Sequence, residues 1–182
     1  ILDSLFSEKL EETRLMKLEA SKHKDGCLVG VNDIVIQRTL SNSAVRYRIW
    51  LDNTLYANEI VGDGLVAATP FGSTGYYRSI TNSLFHVGIG IAFNNTTESV
   101  NHLVMDQAST ITVEVLRGPA SLNADNDPAT LQLTDGDTIY IRKNTHVARI
   151  IGLASFRCPI CYRLRHPQHP DEVKLHKWHY VR

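Results

Sequence analysis

Hydrophobic and polar residues alternate with a period of two along much of this chain. Val45, Tyr47 and Ile49 are separated by two arginines, and a similar alternation occurs over residues 16–20 and 111–115. This period is typical of β-strands that bury one face. The pattern predicts roughly nine or ten strands at intervals of about 8–12 residues, which indicates a β-sandwich or a barrel.

Two apolar runs lack this alternation. Residues 29–36 are apolar except at Asn32 and Asp33, and Leu65–Ala68 is apolar throughout. Each run predicts a strand, and the second run predicts a strand that is buried on both faces. Residues 76–83 follow a loop rich in Gly, Ser and Thr, and we expect them to form a helix.

The predicted organisation is a single, mainly β domain with few helices. Leu2, Leu5, Phe6 and Leu10 have near-helical spacing and predict a short amphipathic helix at the amino terminus. We therefore divide the 182 residues into a lead-in helix at 1–12, a β-rich core at 13–155 and a basic, His-rich tail at 156–182.

The charges are balanced overall but unevenly distributed. The chain has 19 Lys and Arg and 19 Asp and Glu. From His146 onward, seven basic residues stand against two acidic ones, so the preceding part has a formal charge of −5. This balance argues against a generally basic nucleic-acid-binding protein. The absence of a long apolar run argues against a membrane partner, and three cysteines without a secretory pattern predict a cytoplasmic protein.

The densest cluster of glycine and hydroxyl residues spans residues 62–79, with the sequence GDGLVAATPFGSTGYYRS. A strand that leads into such a loop and then a helix exposes backbone N–H groups and hydroxyls, which can bind polar ligands. The alternative is a tight turn with a Ser or Thr helix cap.

Asn32 and Asp33 interrupt an apolar run. A buried carboxylate is unfavourable unless it is paired or bound to a ligand. The alternative is a β-bulge or a strand end that exposes both side chains to solvent.

Together these motifs resemble the ATP–NAD kinase family. Residues 31–36 (VNDIVI) resemble its Asn-Glu/Asp motif, and residues 62–79 resemble its glycine-rich motif. Residues 123–127 (NADND), followed by Asp-Gly-Asp at 135–137, resemble a late pair of strands in the family. The resemblance runs from about residue 14 to residue 152, in the order of the family.

The resemblance implies an enzyme that phosphorylates the adenosine-ribose 2′-hydroxyl of NAD to give NADP, with ATP or polyphosphate as donor and a divalent metal such as Mg²⁺. It implies the fold of the β-rich carboxy-terminal domain of these enzymes, which binds NAD and assembles into homodimers or homotetramers. The NAD-binding residues that it implies are Asn32, Asp33, Asp63, Thr74, Gly75, Tyr76, Ser79 and Asp127.

The implied roles differ along this set. Asn32 and Asp33 would bind the ribose and adenine side of NAD. Asp63 would contact the nicotinamide side or an adenine group, in its own or a neighbouring subunit. Residues 74–76 would line the adenine pocket, with Ser79 beside it.

The sequence departs from the family in three respects. The family's catalytic aspartate lies in a Gly-Gly-Asp-Gly loop of the amino-terminal domain, and this sequence has no such loop. We therefore expect this chain alone to bind NAD poorly and to have negligible kinase activity. Phe71 and Gly75 replace a small polar residue and an alanine, and Asp127 replaces Gln or Arg.

Two other functions remain open from the sequence. One is a stand-alone nucleotide-binding or assembly domain without kinase activity, and the other is the carboxy-terminal domain of a lipid or diacylglycerol kinase. For the NAD kinase that the resemblance implies, a separate amino-terminal kinase domain would be a partner. The intact Asn-Asp pair favours a nucleotide over a lipid.

The tail contains a weak zinc-binding pattern. Cys158, Cys161, His166 and His169 have ligand types that suit tetrahedral zinc, but the two histidines are more closely spaced than is usual. The alternatives are a tail docked on the sheet, and histidines that are simply exposed to solvent.

Overall fold

The computed structural model describes residues 11–22 and 26–153, and this part of the chain is mainly β. It has one short helix, α1 (Tyr76–Thr81), preceded by a 3-10 turn at Gly72–Thr74. Its strands, in chain order, are β1 (Glu12–Leu15), β2 (Leu18–Lys22), β3 (Cys27–Gly30), β4 (Asp33–Arg38), β5 (Val45–Leu51), β6 (Thr54–Gly62), β7 (Gly64–Ala68), β8 (Ile89–Asn94), β9 (Leu103–Met105), β10 (Ile111–Arg117), β11 (Ala120–Ala124), β12 (Leu131–Leu133), β13 (Thr138–Lys143) and β14 (Ala148–Ile151).

The described residues form two compact units. The smaller one contains residues 11–14 and 149–153 and includes a pairing of β1 with β14. In this unit the Arg149 guanidinium forms an ion pair with Glu12, which lowers the pKa of that carboxyl to about 2. The predicted amino-terminal helix and the tail beyond residue 153 lie outside the described residues.

The larger unit, residues 15–148, is an antiparallel β-sandwich. The first sheet has the strand order β3-β2-β13-β10-β5-β6, and the second has the order β12-β11-β4-β7-β8-β9. Inward-facing residues of both sheets form one continuous core, for example Tyr47 and Val113 from the first and Ile36 and Leu65 from the second. The sandwich predicted from the alternating pattern is confirmed.

The second sheet is buried on both faces around its centre. Its outer face carries a smaller apolar cluster in which Val35, Val66 and Ala92 pack against Tyr77 of α1 and Phe85. This cover explains why the sequence of β7 is apolar throughout, as predicted for Leu65–Ala68. The helix ends at Thr81 because Asn82 adopts a left-handed conformation with φ of +54°.

The chain crosses between the sheets at Asp63, between β6 and β7. Gly64 has φ of +150°, and a Cβ there would lie 2.0 Å from the carbonyl oxygen of Ile36. The buried hydroxyl of Tyr47 donates a hydrogen bond to the Gly64 carbonyl at 3.1 Å, across the two sheets. Glycine is therefore needed after Asp63 for a structural reason, since the crossing at Gly64 leaves no room for a side chain.

The prediction of a single strand over residues 29–36 is wrong. β3 ends at Gly30 in the first sheet, and β4 begins at Asp33 in the second. The predicted strand count is also too low, because several strands have only three or four residues. Such short strands give too few positions for a period of two to be recognised.

No helix among the described residues is both long and apolar enough to span a membrane.

Candidate functional site

A cavity of about 590 Å³ opens on the outer face of the second sheet. Asp33, Val35 and Gln37 share this face because alternate residues of β4 point the same way. The loop before α1 and the turn after β11 complete the wall. The lining residues are Asn32, Asp33, Val35, Gln37, Phe71, Thr74, Gly75, Tyr76, Asn123, Asp125, Asn126 and Asp127.

The carboxylate of Asp125 shapes the turn between β3 and β4. Its Oδ2 accepts a hydrogen bond from the backbone N–H of Val31 at 2.7 Å. Its Oδ1 accepts from the N–H groups of Asn32 at 2.7 Å and Asp33 at 3.0 Å. In return, the Asp125 N–H donates to the Asp33 carbonyl at 3.0 Å. These bonds satisfy the backbone donors where the chain leaves the first sheet, so the turn is held by a residue that is distant in the sequence.

Thr69 joins the same turn to the glycine-rich loop. Its hydroxyl donates to the Val31 carbonyl at 2.6 Å and accepts from the Gly72 N–H at 3.1 Å. Its own N–H donates to the Asn32 carbonyl at 2.8 Å. The two sequence motifs thus form one hydrogen-bonded unit.

Asp33 is the most unusual group in the cavity. Its exposed fraction is 9%, and its carboxylate has no hydrogen-bond donor among residues 11–22 and 26–153. Burial, with a further contribution from the Asp125 charge, raises the pKa of Asp33 to about 6. The Asn32 side chain likewise has no hydrogen-bond partner in the described part of the chain. Buried polar groups are normally satisfied, so the unpaired Asp33 carboxylate, with the half-buried Asn32 side chain beside it in sequence, makes this part of the cavity a candidate binding site.

Aromatic side chains form another part of the wall. The Tyr76 hydroxyl accepts a hydrogen bond from Asn94 Nδ2 at 2.9 Å, which fixes the ring at the start of α1. Burial raises the pKa of Tyr76, and the nearby carboxylates of Asp63 and Asp33 raise it further. Phe71 lines the cavity ahead of the 3-10 turn. The cavity therefore offers apolar ring faces beside hydrogen-bonding groups, which suits a heterocyclic base joined to a sugar.

Asp63 does not line this cavity. Its carboxylate accepts hydrogen bonds from Arg38 Nε at 2.5 Å and Asn95 Nδ2 at 3.0 Å, and these partners lower its pKa. It lines a second cavity of about 320 Å³, which also includes Arg38 and Asn94. Gln37 lines both cavities, so the two adjoin along β4.

The structure brings six of the eight predicted binding residues together. Ser79, like Asp63, lies outside the lining of the larger cavity; its hydroxyl donates to the Tyr76 carbonyl at 2.7 Å. The six that share the cavity are Asn32, Asp33, Thr74, Gly75, Tyr76 and Asp127. The zinc candidates Cys158, Cys161, His166 and His169 lie outside the described residues.

Comparison with protein families gives a match to the ATP-NAD kinase C-terminal domain over residues 31–153. This range contains every residue that lines the cavity. The chain belongs to the ATP-NAD kinase family.

Individual members of the family show the same relationship. The chain is 31% identical over 159 residues to an NAD kinase of Polaromonas sp. strain JS666, covering 82% of this chain and 54% of that protein. It is 26% identical over 151 residues to the NAD kinase of Polaromonas naphthalenivorans, covering 79% of this chain and 52% of the relative. The chain thus spans about half the length of these curated relatives. Such matches do not favour the lipid kinase alternative.

Solved structures of the family share the fold. Yeast NADH kinase, complexed with NADH, has a TM-score of 0.73 at 22% identity, covering 83% of this chain and 47% of that one. An NAD kinase from Archaeoglobus fulgidus, in complex with ATP, has a TM-score of 0.68 at 21% identity, covering 82% of this chain and 58% of that one.

Sequence reasoning placed Asp125 in a family motif but gave it no role. The run of Asn and Asp at 123–127 is the sequence signal that could have indicated a turn at Asp125, because such a run is typical of a turn after a strand. Asp125 itself has φ of +49°, a conformation that Asp and Asn adopt more readily than most residues. No sequence signal shows that this turn lies against residues 31–33.

The described residues offer no ligand set for the divalent metal that the family implies. No group of three or more His, Cys, Asp or Glu within the described ranges is placed to hold a metal ion. The carboxylate oxygens of Asp125 already accept backbone hydrogen bonds. We therefore derive no step through a metal from these residues.

Gly72 provides a direct test of the link between the two motifs. A Cβ at this position would lie 2.0 Å from the Asn32 carbonyl oxygen and 2.4 Å from its carbon. Because both atoms belong to the backbone, relief requires the turn to move. We expect Gly72→Ala to lower the free energy of unfolding by about 2–4 kcal/mol, measured by urea denaturation.

Gly75→Ala is the matched control. A Cβ at Gly75 would meet only the Gly72 carbonyl oxygen, at 3.3 Å, and φ there is −96°. We expect a change in the free energy of unfolding below about 1 kcal/mol. Equal stability losses in the two variants would show that the close approach at Gly72 is unimportant.

Proposed function

We propose that this chain is the NAD-binding domain of an NAD kinase and that the adenosine part of NAD occupies the larger cavity. The observation that carries the proposal is Asp33, a buried residue that lines the cavity and whose carboxylate has no hydrogen-bond donor among the described residues. A ribose diol supplies two O–H donors to such an acceptor. The family assignment and the fold shared with NAD kinases support the same choice.

The remaining wall suits the rest of an adenosine. Asn32 offers a donor and an acceptor on one side chain, which matches ribose hydroxyls or an adenine edge. Phe71 and Tyr76 offer ring faces for adenine, and Thr74 and Gly75 lie between them in sequence. Asp63, beside the second cavity, is proposed to contact the other half of the dinucleotide.

The chemical role proposed for this domain is to bind and orient NAD. Asp33 would hold the ribose by accepting hydrogen bonds from its hydroxyls. The hydrogen bonds that the Asp125 carboxylate accepts from the backbone would keep Asn32 and Asp33 in position. In the family, a catalytic aspartate in a Gly-Gly-Asp-Gly loop acts as general base on the 2′-hydroxyl. This sequence has no such loop, so phosphoryl transfer from ATP or polyphosphate would need that aspartate from a further segment or chain. Assembly into homodimers or homotetramers remains part of the proposal.

Titration calorimetry with NAD between pH 5 and pH 7.5 tests the proposal. A carboxylate with a pKa of about 6 is mostly protonated at pH 5 and mostly ionised at pH 7. If the ionised form accepts the ribose hydroxyls, the affinity for NAD should rise about tenfold from pH 5 to pH 7 and then level off. Absence of binding at millimolar NAD throughout this range would refute the proposal.

A further inference from the structure

The charges around the larger cavity all have the same sign. Three carboxylates line it, those of Asp33, Asp125 and Asp127, and no Lys, Arg or His from the described ranges does so. The only side-chain N–H donors among the lining residues are the neutral amides of Asn and Gln. An anionic group that enters this cavity therefore meets negative charge without a compensating cation from these residues.

The three carboxylates differ in their burial and in the hydrogen bonds that they accept. Asp125 accepts three backbone N–H bonds, which disperse its charge. Asp33 is buried and carries a proton part of the time near pH 6. Asp127 is exposed, and its Oδ1 accepts one bond, from the Ala129 N–H at 2.8 Å. Asp127 is thus the exposed carboxylate of the three, and its Oδ2 accepts no hydrogen bond from a described residue.

The size of the cavity makes these charges effective. A volume of about 590 Å³ corresponds to a diameter of about 10 Å, which is about one Debye length at 0.1 M salt. A phosphate monoester carries a charge of roughly −1.5 to −2 at pH 7. Anywhere in the cavity, such a group therefore lies within about one Debye length of the three carboxylates, so salt screens their repulsion only weakly.

We propose that Asp127 is a specificity-determining residue that excludes a phosphorylated ribose, so that the site binds NAD and releases NADP. This inference rests on the proposed function, because it takes the occupant to be the adenosine part of NAD. The reaction adds a phosphate to the ribose that the site holds, so the product carries new negative charge beside Asp33 and Asp127. Repulsion acts more strongly on the product than on the substrate, because NADP carries one phosphate more than NAD, and it therefore weakens the binding of the product relative to that of the substrate.

The test compares the affinities of the protein for NAD and for NADP by titration calorimetry at pH 7.5. At about 50 mM salt we expect NAD to bind at least about tenfold more tightly than NADP. The ratio of the two dissociation constants should shrink as salt is raised to about 0.5 M, because screening weakens repulsion between exposed charges.

Asp127→Asn tests the residue itself. The variant keeps an oxygen that can accept the Ala129 N–H, so the turn should retain its fold. We expect it to shift the NADP-to-NAD affinity ratio at least about threefold in favour of NADP. Asp106→Asn is the matched control: Asp106 Oδ1 accepts the Ala108 N–H at 2.8 Å in the same kind of turn, but Asp106 does not line the cavity. It should leave both affinities unchanged.

The outcomes separate this inference from the proposed function. Binding of NAD and NADP with equal affinity, or an equal effect of Asp127→Asn on both, would overturn the inference alone. An Asp106→Asn effect as large as that of Asp127→Asn would also overturn it, since overall charge would then explain the result. Absence of NAD binding would overturn the proposed function and this inference with it.

Discussion

Replacing Asp33 by Asn is expected to weaken NAD binding about 10- to 100-fold while making the protein more stable at pH 7. The loss of affinity follows from the exchange of a charge-assisted acceptor for a neutral amide. The gain in stability follows from the raised pKa of the buried carboxyl, about 6 against an ordinary value of 3.8. An ionisable group that is kept buried at a cost to stability is typical of a functional site.

The pH dependence of this gain has a definite sign. Between pH 3.8 and 6 the folded protein holds a proton on Asp33 that the unfolded chain has lost. The free energy of unfolding therefore falls as pH rises through this window. We expect Asp33→Asn to match the unmodified protein near pH 4 and to exceed it by up to about 2 kcal/mol at pH 7. Urea denaturation at both pH values measures this difference.

Glu59→Gln is the control for loss of one negative charge. Glu59 is exposed on β6 and pairs with Arg46 at 2.8 Å, away from the cavity lining. Its removal should change the free energy of unfolding by less than about 1 kcal/mol and leave NAD affinity unaltered. If Asp33→Asn bound NAD as well as the unmodified protein, the ribose contact proposed for Asp33 would be wrong.

Removal of the Asp125 carboxylate is expected to have the largest effect on folding. Asp125→Ala would leave the N–H groups of Val31, Asn32 and Asp33 without their acceptor. It would also place an alanine at φ of +49°. We expect the free energy of unfolding to fall by about 3–5 kcal/mol, measured by urea denaturation, with loss of NAD binding because the turn is no longer held.

Asp125→Asn separates the structural role from the electrostatic one. Asn tolerates the left-handed conformation, and its Oδ1 can still accept from Asn32 and Asp33, so we expect a loss of only about 1–2 kcal/mol. It also removes a negative charge that raises the pKa of Asp33. The pH midpoint for NAD binding should therefore move below that of the unmodified protein. A midpoint that stays in place would show that Asp125 does not act on Asp33 electrostatically.

The sequence predicted the sandwich well because burial on one face leaves a period of two. β5 and β10 are buried at alternate positions over most of their length, and their residues alternate accordingly. The same rule failed at residues 29–36, where two strands of different sheets follow one another within a single apolar run. The residue pattern is the same whether the chain continues straight or turns at Asn32. The turn is selected by the Asp125 carboxylate, which is distant in the sequence.

The candidate site was predictable in part. Asn32 and Asp33 are conspicuous because they interrupt an apolar run, and the glycine-rich loop is conspicuous by its composition. Both features are local. Three other contacts join residues that are distant in the sequence, and no period or motif indicates them. They are the close approach of Gly72 to the Asn32 backbone, the hydrogen bond from Thr69 to Val31, and the hydrogen bond from the Asn32 N–H to Asp125.

What the sequence by itself determined, then, is the class of fold, the family and the residue types available for nucleotide binding. These depend on local patterns, which are preserved in the order of residues along the chain. Only the tertiary structure decided that Asp33 and Asp127 line the same cavity, which no Lys, Arg or His of the described residues lines. It also decided that Asp63 lines the second, smaller cavity. Charge repulsion and burial depend on distance in space, and the sandwich brings together residues that are far apart in the sequence.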